Sequence, residues 1–99
     1  MNATVVRRTL IAYDIPDDNR RTRIANATSE FGDRVQYSVF VVDATPAALN
    51  RLIRTLEGLM DRGADSILVC DLGAVETVTT RFRYLGQQRP ITDATDFVV

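Results

Sequence analysis

The strand-forming segments of this chain are apolar on both faces, although only two segments have the pattern of a helix. Residues Leu10–Tyr13 are apolar at every position, and successive side chains of a strand point to opposite faces. Arg34–Asp43 likewise places Val41 opposite Phe40 and Val42. Two helices can cover only one face of such a sheet. The pattern therefore predicts a second copy of the chain on the other face, because two-fold homodimers are the commonest soluble oligomers.

Strand and helix signals follow one another in the order of an α+β sandwich. The predicted elements are a strand at Val5–Asp14, a helix after Pro16 that ends at Gly32, one bent strand or two short ones over Arg34–Asp43, a helix capped by Thr45 and ended by Gly63, strands at Asp65–Leu72 and Val78–Leu85, and a terminal strand at Asp96–Val99. We predict a ferredoxin-like fold, with an antiparallel sheet and two helices on one face. We expect residues 1–86 to form this domain and residues 87–99 to form a linker and a short strand.

Composition limits the classes of protein and of chemistry. No apolar stretch approaches the ~20 residues of a membrane helix, and the amino terminus has no secretory signal pattern, so we expect a soluble, cytoplasmic protein without a membrane partner. The single cysteine, Cys70, lies in an apolar run and is predicted to be in the core. The chain has no histidine, which removes the commonest general base and zinc ligand. Any catalysis must therefore use carboxylates and a metal ion.

All twelve basic residues are arginine, and the net charge is −1. A GC-rich coding sequence would explain the absence of lysine, so the positions of the arginines matter more than their number. Arg20, Arg21 and Arg23 occupy the first turns of the first predicted helix, where the helix dipole disfavours cations. Two explanations stay open, because these side chains could bind phosphate or could pair with Asp17 and Asp18.

Asp14 closes the first apolar run, directly before this arginine cluster. A carboxylate beside guanidinium groups suits a divalent cation that faces a phosphodiester, because hard cations prefer carboxylate oxygen and arginine binds phosphate. The alternative is that Asp14 caps the helix or lies in a solvated turn. The spacing alone leaves both interpretations open.

An ordered set of residues extends this pattern over nearly the whole chain. The set is Tyr13, Asp14 and Ile15, then Arg21 and Arg23, then Arg34, Gln36, Ser38, Val39 and Phe40, and finally Asp65 and Ser66. With these spacings the chain resembles the CRISPR-associated protein 2 family, small nucleases that accompany the integrase in spacer acquisition. The resemblance implies a sheet-to-sheet homodimer, with the terminal strand laid along the partner's sheet.

The resemblance also implies roles for individual residues. Asp14 of each protomer would hold Mg²⁺, or another divalent cation such as Mn²⁺, near the two-fold axis. The residues predicted to be catalytic are Asp14, Tyr13, Arg21, Arg23, Ser38 and Phe40, and those predicted to bind nucleic acid are Arg20, Arg21, Arg23 and Arg34. Tyr13 and Phe40 could instead simply pack in the core, and Arg34 could pair with Asp33.

The predicted function is a metal-dependent endonuclease of RNA or DNA that takes part in spacer acquisition with a CRISPR-associated integrase. Two alternatives use the same fold. One is a non-catalytic DNA-binding scaffold of the adaptation complex, and the other is a related ribonuclease toxin.

Overall fold

The computed structural model describes residues 5–91. In chain order, the elements are β1 (Arg7–Asp14), α1 (Asp18–Ser29), β2 (Asp33–Gln36), β3 (Val39–Ala44), α2 (Pro46–Leu59), β4 (Ser66–Ala74), α3 (Val75–Val78) and a 3₁₀ turn (Thr79–Arg81). Within this described part of the chain, no helix is long and apolar enough to cross a membrane.

The four strands form one antiparallel sheet in the order β2-β3-β1-β4. This order and the two long helices confirm the predicted ferredoxin-like arrangement. β1 is central, with Leu10 opposite Val41 of β3 and opposite Cys70 of β4. The segment Arg34–Asp43 is two short strands joined by a turn at residues 37–38, which settles the alternative that the sequence left open.

The core lies between one face of the sheet and the two long helices. Ile11, Tyr13 and Phe40 point into it and pack with Ile24 and Leu52. The opposite face is open near the end of β1, and its residues, which we call the open sheet face, are Leu10, Ala12, Asp14, Ser66, Leu68 and Cys70. Leu68 is 57% exposed and Cys70 is exposed. The prediction that Cys70 is a core residue is therefore wrong for the single chain, because β4 is an edge strand and Cys70 faces away from the helices.

Neither long helix ends where glycine was predicted to stop it. α1 ends at Ser29, and Gly32 lacks the left-handed backbone that a glycine cap would have. Gly32 instead allows a close approach, since a Cβ there would lie 2.3 Å from the Val41 carbonyl oxygen. α2 ends at Leu59, four residues before Gly63, because Met60 is extended and the Asp65 carboxylate accepts from the Asp61 amide at 2.9 Å.

The predicted strand at Val78–Leu85 is wrong, because this segment begins with the end of α3 and the 3₁₀ turn. Gly73, with φ of +117°, and a register shift in the β1–β4 ladder redirect the chain as β4 ends. The centroid of the Phe82 ring then lies 4.8 Å from the Cζ atom of the Arg8 guanidinium. The predicted terminal strand Asp96–Val99 lies outside the described residues, and the domain boundary after residue 86 stays a prediction.

A buried ion pair lies under the segment that contains Phe82. Arg8 donates to both carboxylate oxygens of Asp43, at 2.7 Å each, and both side chains are at most 5% exposed. This hydrogen bonding raises the pKa of Arg8. The face of the sheet that points away from α1 and α2 is therefore covered around Arg8, at the start of β1, and open around Asp14, at its end.

Candidate active site

Asp14 is the last residue of β1, and its side chain is exposed. Side-chain alternation places it on the open sheet face, because Tyr13 points into the core. It lies opposite Ser66 of β4 and borders a shallow depression with Ala12 and Leu68. The cap of α1 is Asp17, which accepts from the Arg20 amide at 2.8 Å. Asp14 is therefore not the cap of this helix.

The single chain offers one carboxylate at this position. Within residues 5–91, no three histidine, cysteine, aspartate or glutamate side chains converge on a common point. Mg²⁺ commonly uses one or two carboxylates and keeps several water molecules. The donor type at Asp14 therefore fits Mg²⁺ or Mn²⁺, and a second Asp14 from another copy would give a two-carboxylate set.

Tyr13 and Phe40 lie in the core, 7% and 1% exposed, with ring centroids 6.2 Å apart. The Tyr13 amide donates to the Ser38 carbonyl at 3.1 Å, which joins the β2–β3 turn to the end of β1. These positions match the packing alternative for both rings. The predicted catalytic roles of Tyr13, Ser38 and Phe40 remain predictions.

Arg20 makes a bidentate ion pair with Asp65, at 2.6 and 2.8 Å. The Asp65 side chain is fully buried, and it also accepts from the Asp61 amide. Hydrogen bonding from Arg20 lowers the pKa of Asp65, and the same contact raises the pKa of Arg20. The Arg20 guanidinium is thus engaged within the chain, and its predicted contact with nucleic acid remains a prediction.

Arg21 and Arg23 have different surroundings. Arg21 donates to the Asp18 carboxylate and, at 2.8 Å, to the Ile15 carbonyl. The pKa of Arg21 is raised, chiefly by the hydrogen bond with Asp18. Arg23 is exposed, and its side chain forms no hydrogen bond or ion pair with the rest of the described chain. Arg23 is therefore available to an external anion.

Arg34 and Tyr37 flank a cleft between α1 and the β2–β3 turn. The Arg34 guanidinium lies 6.0 Å from the centroid of the Tyr37 ring and 5.2 Å from that of Phe40. The cleft, which we call the α1–β2 cleft, has a volume of about 210 Å³ and is lined by Tyr13, Arg21, Thr22, Ala25, Asn26, Arg34 and Tyr37. Sequence reasoning missed Tyr37, because the run Arg34–Phe40 has the pattern of a strand and does not show that this ring is exposed in a turn.

The comparison with known proteins decides the family. Residues 7–79 match the family model described as CRISPR associated protein Cas2. The chain belongs to the Cas2 family. The matched segment contains every site residue predicted above, whereas Phe82, which lies against Arg8, falls outside it.

Other Cas2 proteins resemble this chain over most of their length. It is 36% identical over 91 residues to a CRISPR-associated endoribonuclease Cas2 of Chloroflexus aurantiacus, covering 92% of this chain and 96% of that protein. It is 41% identical over 69 residues to a CRISPR-associated endonuclease Cas2 of Thermus thermophilus, covering 69% and 77%. The crystal structure of Streptococcus pyogenes Cas2 at pH 6.5 superposes with a TM-score of 0.70 and 30% identity, covering 80% of this chain and 99% of that one. The predicted membership is confirmed.

Proposed function

We propose that this Cas2 family member is a divalent-metal-dependent endonuclease whose active site is completed when two copies meet through the open sheet face. The observation that carries the proposal is the exposed Asp14 carboxylate, at the end of the central strand and at the border of this apolar face. Relatives are named endonuclease or endoribonuclease, which supports hydrolysis of a phosphodiester.

The open sheet face supports the homodimer. Leu68 is 57% exposed, and Cys70 and Ala12 lie on the same face as Asp14. Apolar surface of this kind is buried favourably against a second copy, at roughly 25 cal/mol per Å² of apolar area removed from water. Two Asp14 carboxylates that approach in such a dimer would repel each other without a cation, which favours the uptake of a divalent ion.

The residues around Asp14 would act on the substrate in different ways. A divalent ion held by Asp14 would supply an activated water and stabilise negative charge on the phosphate. Arg23 and Arg34 are exposed cations on adjoining elements and would hold backbone phosphates. Arg21 is fixed by Asp18 and Ile15, so its guanidinium is positioned before the substrate binds. Arg20 would act indirectly, by holding the start of α1 against Asp65.

We further propose that the protein works in the cytoplasm with a CRISPR-associated integrase during spacer acquisition, as the family resemblance implies. A second candidate function is a non-catalytic scaffold that binds DNA in the same complex. One observation favours it: within residues 5–91, Asp14 belongs to no cluster of three potential metal ligands, and it is the one carboxylate lining its depression, which is a sparse set for a nuclease. Cleavage separates the two functions.

The decisive experiment is cleavage of labelled single-stranded RNA and duplex DNA by the purified protein, with Mg²⁺ or with EDTA. Asp14→Asn is compared with Glu76→Gln, which removes one negative charge from an exposed side chain elsewhere. We expect Mg²⁺-dependent cleavage that falls to background in Asp14→Asn and is unchanged in Glu76→Gln. Cleavage by a dimeric Asp14→Asn with unchanged metal dependence would refute the assignment. If neither the wild-type protein nor Asp14→Asn cleaves but both bind DNA, the result supports the scaffold function.

A further inference from the structure

The Tyr37 ring is an exposed aromatic surface at the mouth of the α1–β2 cleft. Its side chain is 74% exposed, although a tyrosine can bury a large apolar area. The Arg34 guanidinium lies 6.0 Å from its centroid. An arginine beside an open aromatic face is the combination on which nucleobases stack in proteins that bind single strands.

The wall of the cleft formed by α1 is polar. Thr22 and Asn26 line it, and neither side chain hydrogen bonds with another residue in the described part of the chain. An asparagine amide offers both donors and acceptors, and a threonine hydroxyl offers one donor and two lone pairs. These groups are suited to the edge of a base that enters the cleft.

The cleft also has positive charge at two points. Arg34 is exposed on β2, and Arg21 lies on α1 with its guanidinium near the Tyr37 hydroxyl, which adds to the effect of Asp18 on the pKa of Arg21. The cleft volume of about 210 Å³ is below the 300–1,000 Å³ typical of pockets for drug-sized ligands. The space therefore suits one small planar group with an attached anion.

We propose that the α1–β2 cleft binds one nucleotide of a single-stranded nucleic acid, with the base stacked on Tyr37 and its phosphate held by Arg34. This inference rests on the proposed function and adds a substrate class to it. In a duplex, both faces of an internal base are covered by its neighbours, so Tyr37 cannot reach one. Tyr13 lines both this cleft and the depression at Asp14, so the two sites adjoin at the end of β1.

Fluorescence tests the stacking directly, because the chain has no tryptophan. Tyr37→Trp places a single indole at the mouth of the cleft, and Leu85→Trp places one at another exposed side chain, beside Tyr84 in the carboxyl-terminal tail. The titrants are a short single-stranded oligonucleotide and an abasic strand with the same number of phosphates, both in EDTA. We expect the oligonucleotide to quench Tyr37→Trp but not Leu85→Trp, and the abasic strand to quench neither. Equal quenching of Tyr37→Trp by the abasic strand would overturn the proposal.

Affinity measurements supply the second test. Tyr37→Ala should weaken binding of the single strand by roughly 5- to 150-fold, the range for loss of one stacked base, while Tyr37→Phe retains the affinity. Arg51→Ala, at an exposed position on α2, controls for the loss of a surface side chain. Binding of the matched duplex should not change in Tyr37→Ala. Equal losses for the single strand and the duplex would overturn the proposal.

Adenosine monophosphate is the remaining titrant for Tyr37→Trp. Quenching by this mononucleotide with the same affinity as the strand would show a site for free nucleotides and would overturn the assignment to a strand. All these measurements are made in EDTA, in which metal-dependent cleavage cannot occur. Failure of the stacking proposal is therefore distinguishable from failure of the nuclease proposal, which is tested by the cleavage activity of Asp14→Asn.

Discussion

Arg20 and Asp65 are 45 residues apart in sequence, and two hydrogen bonds of 2.6 and 2.8 Å join their side chains. The pair holds the start of α1 against the residue that precedes β4. The first residue of β4, Ser66, lies opposite Asp14. Arg20 therefore joins the segments on either side of the candidate metal ligand, through the hydrogen bonds of its guanidinium with Asp65.

This pair predicts a specific dependence of stability on pH. Because the pKa of Asp65 is lowered below 3.8 in the folded protein, its ionised form stabilises the fold above that value. The stabilisation is lost as the pH falls through the lowered pKa of the folded state. Thermal melting should show a wild-type advantage over Asp65→Asn that is constant near neutral pH and shrinks in acid, below about pH 4. An advantage that persisted in strong acid would contradict the prediction.

The buried pair of Arg8 and Asp43 predicts a double-variant rescue. Arg8→Met leaves the Asp43 carboxylate buried without its partner, which typically costs about 3–5 kcal/mol in the free energy of unfolding. Arg8→Met combined with Asp43→Leu should recover most of that loss, because neither charge remains buried. Urea denaturation of the three proteins measures the effect. A double variant no more stable than Arg8→Met would show that the pair has another role.

Two glycine-to-alanine substitutions should change the stability of the fold in opposite directions. In Gly32→Ala, the new Cβ would lie 2.3 Å from the Val41 carbonyl oxygen, so β3 or the end of α1 must shift and the fold is destabilised. Gly58 lies in α2 and has nothing within 4 Å of its Cβ position, so Gly58→Ala should stabilise the protein by about 0.5–1 kcal/mol. Thermal melting of both variants tests this. Similar melting temperatures for the two would contradict the close approach at Gly32.

The open sheet face predicts which surface substitution breaks the proposed homodimer. Leu68→Glu places a charge on this face, so the variant should be monomeric, because an unpaired buried charge is costly. Leu85→Glu introduces the same charge at a position that is 89% exposed in the tail, and it should remain dimeric. Light scattering gives the mass of each variant. A dimeric Leu68→Glu would place the dimer interface elsewhere.

Arg23 should contribute to binding through charge alone. Its exposed guanidinium predicts that Arg23→Ala weakens binding of all sequences similarly and reduces the slope of log affinity against log salt by about 1. Arg54→Ala, at an exposed position on α2, removes the same charge and should leave the slope unchanged. Fluorescence anisotropy at several salt concentrations measures both. An unchanged slope for Arg23→Ala would exclude a phosphate contact.

The elements that sequence could predict depend on local signals. β1, α1 and α2 follow from apolar periodicity and from caps at Asp17 and Thr45, which act within a few residues. The segment Val78–Leu85 alternates in the same way as a strand, but Gly73 and the contact of Phe82 with Arg8 decide its path. These are properties of the folded chain, so the pattern of residues could not reveal them.

The residues of the candidate site also differ in whether local sequence predicts their surroundings. The exposure of Asp14 and Arg23 follows from their places at the end of a strand and on a helix surface. The partner of Arg20 does not, because Asp65 is distant in sequence whereas Asp17 and Asp18 are adjacent. Tyr37 was missed because its significance is an absence of packing, which becomes visible only when the turn is placed against α1.

The central position of β1 has a consequence for how the site moves. Its residues Arg7–Ala12 are paired with both β3 and β4, so we expect exchange of their amides with deuterated solvent to require opening of most of the sheet. Arg23 belongs to a helix outside the sheet and Tyr37 to a surface turn, and we expect both elements to open locally at lower free energy. The carboxylate proposed to hold the metal is therefore attached to the end of the central strand, while the side chains proposed to bind the nucleic acid belong to elements at the periphery of the sheet.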